Sequence, residues 1–101
     1  MILHTVNKSP FEKVSLESCL GFAKPNDAIL LYEDGVYAVL KGTRMESTIT
    51  KALEQFKIYV LVPDVEARGM RKDRIIAGVQ PIDYGGFVDL VTQHNPIQAW
   101  L

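Results

Sequence analysis

Cysteine is nearly absent from this chain of 101 residues: Cys19, within SLESCLGFAKP, is the only one. A single thiol cannot close an internal disulfide, so a secreted, disulfide-stapled scaffold is excluded. Long apolar runs are also lacking. Runs such as IYVLV (58–62) fall far below the ~18–20 residues needed to span a bilayer as a helix. The opening MILHTVNKSP has neither the basic n-region nor the apolar h-region of a signal peptide, so the expected compartment is the cytoplasm. An excess of either charge is missing as well: eleven basic against twelve acidic residues leave a formal charge of −1. Such a balance gives no global attraction to nucleic acid or to an anionic membrane, and direct binding to either is not expected.

Phosphate-binding motifs are equally absent. Gly85-Gly86 lacks the G-x-G-x-x-G spacing, and there is no P-loop; the pair reads as easing a helix start. His4 and His94 are the only histidines, and neither stands in metal-ligand spacing with Cys19 or with a carboxylate pair. Neither a cofactor nor a metal is expected.

What the chain does have is the composition of one ordinary folded unit, with 48% hydrophobic and 23% charged residues, read as a single domain over 1–101. Short aliphatic runs alternate with helical patterns. MILHTV reads as a first strand. Ser9, Pro10 and Glu12 form an S-x-x-E box with proline at the first helical position, which predicts a helix start there. Leu16, Cys19, Leu20 and Ala23 then fall at i, i+3, i+4 and i+7, one apolar face. AILLY reads as a second strand, buried on both sides. EDGVYAVLKGT fits a hairpin or a short helix, and the alternation favours the helix. MESTITKALEQF repeats Ile49, Ala52, Leu53 and Phe56 on one helical face. KIYVLV is a third strand, followed by a brief helical turn capped by Asp64 and ended by Gly69. VQPID is a fourth strand, placed at an edge or made irregular by Pro81. Asp83 caps a last helix, and IQAWL closes as a short strand. This order predicts an α/β fold: a small three-layer sandwich, flavodoxin-like or Rossmann-like, with a mostly parallel sheet of about five strands and helices on both faces.

Few residues are candidates for chemistry. His4 reads as a packed or hydrogen-bonded strand residue. The cluster Arg68, Arg71, Lys72 and Arg74 is interleaved with Glu66 and Asp73 and reads as a solvated loop, with an acidic or RNA partner as the alternative. Trp100 suits either a subunit interface or packing on its own sheet. Cys19 lies on an apolar helical stripe with no Lys, Arg or His beside it, the position of a small buried hydrophobe; a reactive thiol prefers a helix N-terminus or a cationic neighbour.

Several stretches, in order along the chain, resemble the DsrE/DsrF/DsrH sulfur-relay family, and specifically its DsrH branch, called TusB in the tRNA-modifying form. These are LHTVNKSPFE, SLESCL, ILLYEDGVYAVLKGT, YVLVPDVEARG, IDYGGFVDLV and the terminal QAWL. The resemblance implies a cytoplasmic heterohexamer with DsrE/TusD-like and DsrF/TusC-like subunits. It implies passage of persulfide sulfur to a DsrC/TusE-like carrier, for dissimilatory sulfur oxidation or for 2-thiolation of the tRNA wobble uridine. The family's main sulfur-carrying cysteine belongs to the DsrE/TusD subunit and has no counterpart here. Cys19 matches a helix cysteine of the sulfur-oxidiser DsrH proteins, which tilts the resemblance toward that form, while Pro81 departs from the aliphatic strand expected at its position. Three readings follow: a non-catalytic scaffold subunit of a sulfurtransferase complex, an auxiliary carrier using Cys19 as a persulfide, or a stand-alone ligand-binding α/β domain.

Overall fold

The computed structural model describes all 101 residues. Its five strands are β1 (Leu3–Val6), β2 (Ala28–Leu31), β3 (Lys57–Leu61), β4 (Gln80–Ile82) and β5 (Ile97–Trp100). They form one sheet in the order β4-β3-β2-β1-β5, and every neighbouring pair is parallel. The helices are α1 (Ser15–Phe22), α2 (Glu46–Ala52), α3 (Val62–Ala67) and α4 (Tyr84–Gln93). Two 3₁₀ segments, Glu33–Val39 and Lys72–Arg74, complete the set.

The central strands are the aliphatic ones because they are covered from both sides. All four residues of β1 and all four of β2 are buried, as expected for a parallel sheet between two layers. On one face α1, α2, α3 and the longer 3₁₀ segment enclose the main core, which includes Val6, Cys19, Ile29, Ile49, Ile58 and Val65. On the other face α4 alone covers a smaller core, in which Leu90 packs with Leu3, Ala28 and Leu30. The expected three-layer α/β sandwich with helices on both faces is the fold observed.

The edges behave as their residues dictate. Pro81 lies in β4, which pairs only with β3, so its missing N–H costs nothing in a central ladder. Asp83 caps α4 as expected, accepting from the Gly86 N–H at 2.8 Å. The ambiguous EDGVYAV stretch is helical, in the tighter 3₁₀ form. Gly35 within it is required by a close approach, since a Cβ there would run into the Val6 carbonyl oxygen at the end of β1.

Two expected helix starts are corrected. The first helix does not begin at Pro10 but at Ser15. The Ser9 hydroxyl accepts from the Phe11 N–H at 3.2 Å, and the Ser9 carbonyl accepts from Glu12 and Lys13. The serine therefore closes a local turn, the competing use of a side chain that also favours caps. Asp64 is not a cap either: α3 already begins at Val62, and the Asp64 carboxylate accepts instead from the Glu33 N–H at 2.6 Å, tying α3 to the 3₁₀ segment.

Candidate functional site

Alternation along β1 sends Leu3 into the smaller core and Val6, with His4, to the α1 side. The mid-helix position of Cys19 on the inward stripe of α1 brings its thiol to the same face. Both residues are wholly inaccessible to solvent. Against His4 lies a residue the sequence reading passed over, Asp27, in the turn that leads from α1 into β2.

Asp27 is 4% exposed, and its carboxylate receives three N–H groups. Its Oδ1 accepts from the Ile2 backbone at 3.1 Å, and its Oδ2 accepts from the Lys24 backbone at 3.0 Å and lies 2.9 Å from His4 Nε2. At the other side of the imidazole, Trp100 Nε1 donates to His4 Nδ1 at 3.1 Å. An indole N–H can only donate, so Nδ1 must offer its lone pair and the ring proton must sit on Nε2, facing Asp27. The pair is therefore a neutral imidazole donating to a carboxylate, with a single buried charge. Burial pushes the Asp27 carboxyl upward, but the hydrogen bonds from His4, Lys24 and Ile2 outweigh it and hold the group below the ordinary carboxylate range.

The same surroundings act oppositely on the thiol. Burial first, and the Asp27 charge second, push Cys19 up from an ordinary 9.0 to about 12. At neutral pH the thiolate fraction is then on the order of 10⁻⁵, and only the thiolate attacks sulfur. Nor is a base free to help. A Cys–His dyad needs an imidazole nitrogen that can take the thiol proton, and here both nitrogens are engaged, one by Trp100 and one by Asp27. Phe22 completes an aromatic cover, its ring 5.7 Å from that of Trp100 and 6.2 Å from His4.

His4 is thus a buried, hydrogen-bonded strand residue, and Trp100 packs on its own sheet. A fully buried histidine in β1 requires an acceptor, and Ala28 pairs with Leu3 in the sheet; an aspartate directly before AILL was the available signal. The basic cluster does not converge on Cys19. Arg68 pairs with Asp34 at 2.9 Å, Arg71 forks onto Asp73, and Arg74 donates to the Lys41 carbonyl at 2.8 Å. Two surface concavities exist, one lined by Leu40 and residues of this cluster and one on the outer face of α4, and neither borders the thiol. No group of His, Cys, Asp and Glu is arranged to hold a metal, and no helix is long and apolar enough to cross a membrane.

These features define a small parallel α/β sandwich whose one thiol is wholly buried in the main core. The chain belongs to the DsrH-like family: residues 8–97 match the family described as "DsrH like protein". Over 99 residues it is 37% identical to Protein TusB of Pectobacterium parmentieri and 35% identical to Protein TusB of Escherichia coli O1:K1 / APEC. Each alignment covers 98% of this chain and 100% of the relative. The fold is shared with the crystal structure of the ychN protein from E. coli, with a TM-score of 0.81 at 16% identity over 97% of both chains. The expected DsrH/TusB branch is therefore the family found.

Proposed function

We propose that this chain, acting as a single domain over 1–101, is a structural subunit of a cytoplasmic sulfur-relay complex. Its partners are a DsrE/TusD-like and a DsrF/TusC-like subunit in a heterohexamer, and the complex hands sulfur to a DsrC/TusE-like carrier. Full-length similarity to proteins named TusB supports the relay reading and favours tRNA 2-thiolation as the destination. The match of Cys19 to the sulfur-oxidiser branch is what speaks for oxidation instead. The observation that carries the structural role is the thiol itself. Sulfur relay requires a thiolate to attack the outer sulfur of a donor persulfide, forming a new S–S bond while the donor leaves as a thiolate. A thiol wholly buried, raised to about 12 and without a free base is poorly suited to that step. The stand-alone ligand-binding reading is less well supported, because the chain carries no phosphate-binding motif.

The test is mass spectrometry of the three co-purified subunits after exposure to a persulfide donor. The expected outcome is one added sulfur on a partner subunit and none on Cys19. A sulfur gained by Cys19 and abolished in Cys19→Ser would make this chain an auxiliary carrier. Measuring 2-thiouridine in tRNA from a strain lacking this chain separates the destinations: its loss supports thiolation, and unchanged levels point to oxidation.

A further inference from the structure

The longer 3₁₀ segment packs against α3, and where both end an open cleft of about 430 Å³ lies between Leu40, Gly69, Met70, Arg71 and Arg74. Its walls are fixed by backbone bonds: Lys41 N–H donates to the Arg74 carbonyl at 2.7 Å, and Ile76 N–H to the Val39 carbonyl at 2.9 Å. Arg74 is held in place by its bond to the Lys41 carbonyl, a neutral acceptor, and makes no ion pair of its own. Arg71 has a partner in Asp73, but both side chains are largely exposed, 78% and 60%, and an exposed pair of this kind exchanges at little cost. Lys41 and Arg74 also bear on that one carboxylate. Three cations thus share the Asp73 carboxylate, in a chain whose formal charge is −1.

We propose that this cleft docks an acidic segment of a partner protein. Arg74 and Arg71 receive its carboxylates, and an apolar side chain of the segment lies over Leu40 and Met70. A guanidinium matches a carboxylate with two parallel N–H bonds, and a fixed guanidinium gives up little freedom on binding. The apolar floor suits a peptide better than a phosphate backbone. The aromatic pairs on which unpaired bases would stack lie elsewhere in the molecule. This site is independent of the thiol, and its test does not depend on sulfur transfer.

The experiment is a titration of the ¹⁵N-labelled full chain with a capped peptide of four glutamates and two leucines, followed by amide shifts. A peptide with lysine replacing glutamate and an oligouridylate of equal charge serve as competing probes. Saturable shifts centred on Leu40, Gly69, Met70 and Arg71 are expected, weakening as salt is raised. Arg74→Gln should weaken binding roughly fivefold or more, and Arg71→Gln, at a fully solvated site, should weaken it in the same direction with the spectrum otherwise unchanged. The proposal is overturned by shifts that do not saturate or that centre elsewhere. It is equally overturned by both variants binding like the parent, or by the oligouridylate binding as tightly as the acidic peptide.

Discussion

His4, Asp27 and Trp100 show how a few polar atoms organise an otherwise aliphatic layer. Each has the partner its chemistry demands, and removing one leaves the others buried and unmatched. Asp27→Ala strips the acceptor from the His4 Nε2–H and from two backbone N–H groups. It is expected to cost roughly 2–4 kcal/mol in urea unfolding. Because the Asp27 carboxyl is held below its ordinary range when folded, its contribution is complete above about pH 4 and is lost as pH falls through the depressed value. The stability gap between the parent and Asp27→Asn should therefore narrow on acidification. Cys19 has the opposite sign. Its thiol is raised from 9.0 to about 12, so its contribution is complete below about pH 9 and is lost as pH rises toward 12. Compared by urea unfolding across that window, the parent should lose about 1.4 kcal/mol per pH unit relative to Cys19→Ala. An unchanged difference between the two would show that the thiol is open to water.

Among the elements, apolar spacing located the helices, although α2 ends at Ala52 and leaves Phe56 of its expected stripe outside, while start signals held at Asp83 and failed at Ser9 and Asp64. The stripe Leu16, Cys19, Leu20 and Ala23 faces the main core as its spacing implies. Ser9, by contrast, has the right residues around it for a helix start and spends its hydroxyl and carbonyl on a turn. The choice between those two uses depends on where the chain must go next, which the box does not encode. Glycines divide in the same manner. Gly21 in α1 has open space around a Cβ, so Gly21→Ala is expected to stabilise the protein by about 0.5–1 kcal/mol through helix propensity. Gly35 sits against the Val6 carbonyl oxygen, and Gly35→Ala must displace backbone, with an expected loss of roughly 2 kcal/mol or more. Thermal unfolding of the two variants should shift the midpoint in opposite directions.

At the scale of the whole molecule the two ends of the chain meet. β1 pairs with β5, and Trp100 reaches across 96 residues of sequence to His4. Trp100 is the only tryptophan, so its emission reports a contact that exists only when the first and last strands are in place. Urea unfolding followed by tryptophan fluorescence and by far-ultraviolet circular dichroism should give coincident transitions. An earlier fluorescence transition would mean that β5 detaches before the rest of the sheet opens. By itself the sequence determined the α/β class, a mostly parallel sheet, the capping of the last helix and the apolar setting of Cys19, and it narrowed Pro81 to an edge or an irregular strand. All of these follow from short-range patterning, in which a residue's type and spacing decide the outcome. The strand order, the merging of Asp27, His4 and Trp100 into one network, and the approach of Leu40 and Lys41 to the Arg71 and Arg74 cluster were decided by the tertiary structure alone. Their partners are distant along the chain, and only the closing of the sheet brings donor to acceptor and charge to charge.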